Sequence, residues 1–315
     1  MKILILLFTF VCSIALGQSH YYKPLNIGLE DGLPSETIRY IFKDSKGNIW
    51  YGTDVGVAMQ NGKKIIQFSS RDGLAGDKVW AIDEDQQGNI WFGCYGSGLS
   101  MFDGEKFTTY KTEDHQALNS IRRILIAQDG SVFAGSDIGL FRLKPNGEIK
   151  SFSKLLNNAN EKMQAGGFFQ FHKDTLLYVT IGKGECFYDL KNDTIFNIPK
   201  SHKYAKTRGY VAKEINHELV VAGSEIKIFK DDTTISEKLG NYGLNGPVWD
   251  VTYDTNGNYY MPAFGGGAIR NFGGVYKFDG EKLIDLSSHL NILGSNFWSI
   301  LYDTDNDILY IGSLE

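Results

Sequence analysis

Short apolar runs alternate with turns rich in Gly, Asn and Asp along most of the chain. In the first copy of this pattern the turns are Ser45–Asn48 and Asn61-Gly62, and such residues suit tight hairpins because Gly and Asn tolerate positive φ. The runs between the turns alternate with the period of two that is typical of strands. The pattern therefore predicts an antiparallel meander of four strands, Thr37–Lys43, Asn48–Thr53, Gly56–Gln60 and Ile65–Ser69.

The meander recurs along the chain. Its second strand ends in Trp50-Tyr51-Gly52 in the first copy and in Trp91-Phe92-Gly93 in the second, and looser copies follow that close at positions 135, 180, 223, 262 and 312. The mean spacing of about 43 residues lies within the range of propeller blades. Because a four-stranded meander cannot cover its own apolar face, neighbouring copies must stack radially. The sequence predicts an all-β fold, a β-propeller of seven four-stranded blades.

One aromatic column is expected to join the blades. It occupies the same position in the second strand of six copies, where burial between neighbouring blades suits a large ring better than contact with a ligand. The column consists of Trp50, Trp91, Phe133, Tyr178, Tyr260 and Tyr310.

The last copy supplies only two strands, Phe297–Tyr302 and Asp307–Gly312. We expect Tyr21–Leu29 to join them as an outer strand, so that the last blade is incomplete and is closed by the N-terminal strand. A chain that stops within a blade is typical of a fragment, so we also expect the natural protein to continue past Glu315. The predicted propeller covers residues 18–315.

The first residues are typical of an export signal. Lys2 is followed by the apolar run Ile3–Leu16, which is too short to span a bilayer comfortably, and Ala15 and Gly17 are small residues where a signal peptidase reads the chain. Val11 before Cys12 disfavours a lipoprotein site. We predict a signal peptide over residues 1–17 and a periplasmic, extracytoplasmic location.

Composition narrows the classes of partner and cofactor. The chain has 32 Lys and Arg against 37 Asp and Glu, a net charge of −5, and no dense basic run, so no nucleic-acid partner is expected. No Cys or His cluster has zinc spacing, and no cofactor is expected. Cys94 and Cys186 are predicted to be small buried hydrophobic residues, with a single bridge between them left open.

The repeat resembles the two-component regulator propeller repeat. The resemblance lies in Asp31–Leu33 with Gly47–Thr53, in Asp72–Leu74 with Gly88–Gly93, and in Gly98-Leu99 leading into Phe102–Gly104. It implies the extracytoplasmic sensor region of a hybrid histidine kinase of the Bacteroidetes type, in which further repeats, an immunoglobulin-like module, one membrane span and a kinase follow. It also implies ligands that are often polysaccharide fragments, and membrane contact only through that downstream span.

A candidate ligand site lies at the start of the innermost strands. Propeller topology puts the loops before the first strand and after the second strand on one face, and successive copies there begin with arginine or an aromatic residue. Such side chains suit sugars, since C–H faces stack on rings and hydroxyls accept from guanidinium groups, although inter-blade packing is the alternative role. The column consists of Arg39, Trp80, Arg122, Tyr210, Trp249 and Trp298, with Phe168 or Phe169 in the fourth copy.

The sixth copy carries a long insertion, Ala263–Phe272, on the same face. Its glycines lack the following helix and Lys-Ser/Thr of a phosphate loop. A flap over a ligand or a contact with a second propeller suits it, and an idle surface insertion is the alternative. Arg270 and Asn271 are therefore added to the candidate ligand-binding residues.

Two other functions stay open. Streptogramin-type lyases have similar repeats and act through a histidine and a divalent metal; here His115, His202 and His289 fall in loops before alternate copies without a carboxylate in register. A protein-interaction scaffold is the third possibility. The sequence favours a non-catalytic sensor of oligosaccharide or another small ligand, which acts in two-component signal transduction and pairs with a second propeller.

Overall fold

The computed structural model describes residues 25–110, 120–137, 139–152, 164–172, 175–181, 184–199, 201–204, 209–230, 234–242, 246–265, 273–287 and 296–314. The signal-peptide prediction, residues 1–17, lies outside these ranges. The helices found within them are three short 3₁₀ turns, Leu29–Asp31, Ser70–Asp72 and Leu239–Tyr242. None of the helices in the described ranges has the length and apolar character needed to cross a membrane.

Within the described ranges, the strands form seven antiparallel sheets in chain order, six of four strands and one of two. The first three sheets contain β1 to β12: Ile38–Lys43, Ile49–Thr53, Val57–Asn61, Lys64–Phe68; Val79–Glu84, Ile90–Cys94, Gly98–Phe102, Phe107–Tyr110; Ile121–Ile126, Val132–Ser136, Leu140–Leu143, Ile149–Ser151. The next three contain β13 to β24: Gln164–His172, Thr175–Ile181, Gly184–Asp189, Thr194–Asn197; Val211–Ile215, Glu218–Ala222, Glu225–Phe229, Thr234–Lys238; Thr252–Tyr253, Tyr259–Ala263, Gly274–Phe278, Leu283–Asp285. The last sheet pairs β25, Phe297–Asp303, with β26, Ile308–Ser313.

The sheets are arranged around an axis, with the first strand of each one innermost. Strand β1 contacts β5 on one side and β25 on the other, and β5, β9, β13 and β17 continue the series of contacts. Strand β21 contacts β25, and a shared apolar cluster joins the fifth and sixth sheets. The predicted all-β propeller is confirmed, and the predicted strand boundaries of the first and last copies are correct to within one residue.

The ring closes between the last sheet and the first. Thr37 and Leu314 form an isolated antiparallel bridge, and Leu301 and Tyr310 pack against the core of the first sheet. The predicted outer strand over Tyr21–Leu29 is not found in its described part: residues 25–28 form no strand, and the last sheet has two strands only. An outer strand needs a third strand as its hydrogen-bonding partner, and the described residues provide none for that sheet.

The predicted aromatic wedges lie between the sheets. Trp50, which is 1% exposed, packs from the first sheet onto Phe92 and Phe102 of the second. Phe133 packs on Tyr188 of the fourth sheet, and the others join the core clusters between their own sheet and the next. The side chain of Tyr178 lies outside the described residues. The wedges described are Trp50, Trp91, Phe133, Tyr260 and Tyr310.

A buried carboxylate holds the turn and its wedge together. Asp44 accepts hydrogen bonds from the backbone N–H and side-chain amide of Asn48, both at 2.8 Å, and from the Trp50 indole N–H at 2.8 Å. Asp85 repeats the arrangement with Trp91. Burial opposes the ionisation of Asp85, but these donors outweigh it and lower the pKa of its carboxyl below the ordinary value. The Asp in the repeat therefore anchors the wedge as well as the turn.

The two described cysteines are buried, as predicted, and lie in different apolar clusters. Burial raises the pKa of the Cys94 thiol to about 12, so it stays protonated and packs as an apolar side chain.

The hydrogen bond from Trp50 to Asp44 predicts that removing two different turn carboxylates lowers the free energy of unfolding by different amounts. Asp44→Ala leaves the buried Trp50 indole N–H without an acceptor, so the free energy of unfolding should fall by about 1–3 kcal/mol. Asp103→Ala is the matched control, because Asp103 bonds only turn N–H groups that water can reach, and it should cost less. Urea denaturation of the wild type and the two variants measures both changes in the free energy of unfolding. Equal decreases in the two variants would contradict the anchoring role of Asp44.

Candidate ligand-binding site at the channel rim

The innermost strands of five sheets each contain one extra residue near their start, and in four of them that residue is an arginine or a tryptophan. The pairing registers shift between Ile38 and Tyr40, and at the equivalent points of β5, β9 and β25. Such a β-bulge bends the strand and redirects the side chain of the extra residue, and bulges are frequent beside functional sites. The four arginine and tryptophan residues are Arg39, Trp80, Arg122 and Trp298, all of which belong to the predicted column.

The fourth sheet differs from the prediction. Its register shift lies between Ala165 and Gly167, so Gly166 is the extra residue, whereas Phe168 and Phe169 pair with Tyr178 and Leu177 further along the strand. The prediction of Phe168 or Phe169 is wrong because this copy lacks the turn glycine from which the position was counted. The fourth sheet therefore adds no side chain at this position.

The first arginine of the column is tied to its neighbours by a carboxylate. Arg39 donates to both oxygens of Asp54, at 3.1 and 2.7 Å, and the Trp80 indole N–H of the next sheet donates to the same carboxylate at 3.1 Å. Its guanidinium lies 4.9 Å from the ring centroid of Trp80 and 5.4 Å from that of Trp298. Asp54 thus joins the first two sheets at the rim.

The second arginine repeats the arrangement one sheet further on. Arg122 pairs with both oxygens of Asp137, the longer contact being 3.2 Å, and the Tyr95 hydroxyl donates to Asp137 at 3.3 Å. The ring of Tyr95 stacks on Trp80 with centroids 4.0 Å apart, and the guanidinium of Arg122 lies 5.1 Å from the Trp80 centroid.

An aromatic group completes the cluster on the other side. Trp249 and Trp298 stack with centroids 4.5 Å apart and planes 11° from parallel. Tyr210 meets Trp249 edge-on, and Phe264 meets Trp298 edge-on. Since Trp298 also lies beside Trp80 and Arg39, the rings and arginines form one continuous group. This group, the rim cluster, comprises Arg39, Asp54, Trp80, Tyr95, Arg122, Asp137, Tyr210, Trp249, Phe264 and Trp298.

The structure thus brings together the six column residues proposed as ligand-binding. Sequence reasoning missed four members, Asp54, Tyr95, Asp137 and Phe264. Each lies two positions after the closing position of its repeat copy, which is 52, 93, 135 or 262. The loop after the second strand was expected on the same face as the column, so counting two positions from each closing position would have identified these four residues. Arg270 and Asn271 lie outside the described residues.

The members of the rim cluster are partly open to solvent. The side chains of Arg39 and Asp54 are 18% and 28% exposed, and those of Arg122 and Asp137 are both 16% exposed. The six aromatic members are likewise half-buried. They pack on one another across sheet boundaries and still leave ring surface open, unlike the wedge Trp50.

Charged groups fill the channel beneath the rim. Arg123 reaches across from the third sheet and donates to the backbone oxygen of Trp249 at 2.7 Å. Lys213 forms an ion pair with Asp250, which also accepts from Ser299 Oγ at 2.9 Å. Although burial favours the neutral amine, the Asp250 carboxylate raises the pKa of Lys213 above its ordinary value. These contacts tie opposite sheets together below the cluster.

The lyase alternative requires a histidine near the rim cluster, and the described part of the chain gives it little support. His202 packs against Phe187 and Tyr204, and its Nδ1 accepts from the Tyr204 backbone N–H at 3.2 Å, away from the rim cluster. His115 and His289 lie outside the described residues. Among the residues described, no group of three or more His, Cys, Asp or Glu side chains could hold a metal ion.

Comparison with known proteins identifies the repeat. The two-component regulator propeller family matches residues 32–55 and 73–96. The resemblance expected from the sequence is confirmed, and the chain contains two-component regulator propeller repeats. A search of curated protein sequences gave no significant match.

Solved propellers share the fold at low sequence identity. The extracellular domain assigned to the hybrid two-component system BT3049 of B. thetaiotaomicron is 15% identical, with a TM-score of 0.64 over 92% of this chain. This chain spans only 40% of the length of that one. Virginiamycin B lyase of Staphylococcus aureus, solved with quinupristin, is 12% identical with a TM-score of 0.66, over 88% of this chain and 92% of the lyase. At these identities the likeness shows the fold alone.

The Asp54 carboxylate predicts a pH dependence of stability. Burial opposes its ionisation, but the hydrogen bonds from Arg39 and Trp80 outweigh it and lower the pKa of Asp54. A lowered pKa adds stability at pH values above the ordinary Asp range, near 4, and this contribution is lost as the pH falls towards the folded-state pKa. The difference in unfolding free energy between the wild type and Asp54→Asn should therefore shrink on acidification. Chemical denaturation between pH 7 and pH 3 measures it, and a constant difference would contradict the assignment.

Proposed function

We propose that this chain is an extracytoplasmic sensor propeller of a two-component signalling protein, and that it binds oligosaccharide at the rim cluster. The propeller has seven blades in this proposal, the two-stranded sheet being the incomplete seventh. The regulator repeats and the likeness to an extracellular two-component domain support the signalling role. The signal-peptide pattern of residues 1–17 supports export.

The observation that carries the proposal is the rim cluster itself. Aromatic rings with open faces and arginines with fixed guanidinium groups come from six different sheets and meet at one end of the channel. Sugars offer C–H faces for the rings and hydroxyls for the polar groups, so their chemistry suits this mixture. These side chains are also less buried than the wedge Trp50, which is 1% exposed, so they leave surface that a ligand can contact.

Signalling would proceed by a shift in populations. The contacts across the channel make the propeller a stiff unit, so a bound ligand favours one arrangement of paired propellers over another. It does so only by the difference in its affinity for the two arrangements. Membrane contact and any kinase activity are not assigned to the propeller in this proposal.

Carbohydrate binding should be visible through the rim tryptophans. Titration with a panel of neutral and acidic oligosaccharides should give a saturable heat by calorimetry and a change in tryptophan fluorescence. Trp249→Ala and Trp298→Ala should each weaken binding by about tenfold or more, because each removes a stacking face worth roughly 1–3 kcal/mol for a ring in contact with its ligand.

Trp91→Phe is the matched control for this experiment. Trp91 is a wedge, 7% exposed and bonded to Asp85, and should alter stability but leave affinity unchanged. If both rim variants bind as the wild type does, the column is inter-blade packing. Binding of a protein partner with no sugar response would instead favour the scaffold.

The sensor is proposed to be non-catalytic, which a second measurement checks. Chelator treatment, His202→Ala and His289→Ala should leave oligosaccharide binding unchanged, and incubation should release no cleaved product. The lyase-like alternative requires the opposite: metal-dependent turnover of quinupristin that either histidine variant abolishes.

A further inference from the structure

The charges of the rim cluster are paired within it. Its four charged groups are two arginines and two carboxylates, and each arginine contacts both oxygens of its own carboxylate. Such two-point pairs are geometrically matched and strongly held. Their formal charges cancel, so the rim cluster presents dipoles and ring faces to a ligand.

The two cations below the cluster, Arg123 and Lys213, also have partners. Arg123 donates to the backbone oxygen of Arg122 at 2.9 Å through one terminal nitrogen and to that of Trp249 at 2.7 Å through the other. Lys213 is held by Asp250. An anionic ligand at the rim would therefore meet arginines already bound to Asp54 and Asp137, and those carboxylates would repel it.

A cationic ligand is disfavoured by the same arrangement. An aromatic cluster normally offers ring faces to a cation, but here the guanidinium groups of Arg39 and Arg122 already lie 4.9 and 5.1 Å from the Trp80 centroid. A second cation at these faces would be repelled by both arginines. The rim cluster thus disfavours both anionic and cationic ligands.

One polar atom of the cluster has no partner. Trp249 Nε1 is buried and makes no hydrogen bond, and it is alone in this among the side-chain nitrogen and oxygen atoms in the part of the chain that the structure describes. The equivalent N–H groups of Trp50, Trp80 and Trp91 all donate to carboxylates. A buried N–H without an acceptor costs free energy, and a ligand oxygen placed against it would recover that cost.

We propose that the rim cluster binds an uncharged sugar and that Trp249 Nε1 donates a hydrogen bond to one of its oxygens, which makes Trp249 a specificity-determining residue. The inference rests on the proposed function and adds two details: the ligand is uncharged, and Trp249 Nε1 is the donor that bonds one of its oxygens. The stacked ring of Trp298 then supplies an apolar face beside the donor.

Five tetrasaccharide probes of the β-1,4-glucan and β-1,4-mannan types test the charge class of the ligand. Cellotetraose and mannotetraose are neutral, their C6-oxidised uronates are anionic, and the chitosan tetramer is cationic. We expect the better neutral probe to bind at least tenfold more tightly than its uronate and the chitosan tetramer. Equal or tighter binding of a charged probe overturns the inference and leaves the proposed function standing, whereas no binding by any probe overturns both.

Trp249→Phe tests the donor, with Trp91→Phe as the matched control. Both variants keep a ring and lose an indole N–H, but the Trp91 N–H already donates to Asp85 outside the rim cluster, whereas that of Trp249 is buried without a partner. Trp249→Phe should therefore bind the neutral probe about tenfold more weakly, and Trp91→Phe as tightly as the wild type. The indole N–H signal of Trp249 in ¹H–¹⁵N NMR, assigned by its loss in Trp249→Phe, should move downfield on binding. Equal losses in the two variants, or an unmoved signal, overturn the assignment.

Discussion

Burial of an aromatic wedge between neighbouring sheets, described at five of their boundaries, is the contact on which this propeller depends. A four-stranded meander covers one of its faces only when a neighbour packs against it, and Trp50 does this for the first two sheets with a side chain that is 1% exposed. The carboxylate of Asp44 fixes the ring by accepting its indole N–H while it also closes the turn before the strand. One short motif therefore sets both the local hairpin and the packing of successive sheets.

The wedges leave the inner ends of the first strands free for another role. A bulge near the start of four inner strands turns Arg39, Trp80, Arg122 and Trp298 out of the regular alternation and towards the channel mouth. There the loop carboxylates meet them across sheet boundaries, as Asp54 meets Trp80. The same backbone defect, repeated around the axis, converts a packing position into a shared surface. Rigid inner strands hold this surface more accurately than flexible loops would.

The sequence revealed most of this arrangement because its signals are local and repeated. Turn residues and alternation located the strands, and a fixed count from the turn located the column. The count failed in the fourth copy, where the turn glycine is missing and Gly166 takes the position expected for Phe168 or Phe169. The outer strand expected over Tyr21–Leu29 could form only beside a third strand of the last sheet. The alternation of apolar and polar residues within a segment does not show whether such a partner exists. Asp54 escaped notice because its partners lie on another strand and in another sheet, and such pairing is a tertiary property.

The link between the rim and the channel bears on how such a propeller could signal. Arg123 belongs to the third sheet and bonds the backbone of Trp249 in the sixth, and Asp250, the next residue, holds Lys213 of the fifth and Ser299 of the last. A ligand against Trp249 thus acts on a position that four sheets already fix. Movement of one blade against another would break several buried polar contacts, each expensive to leave unmade. Ligand binding is therefore more readily converted into a change in how whole propellers associate than into a change within one.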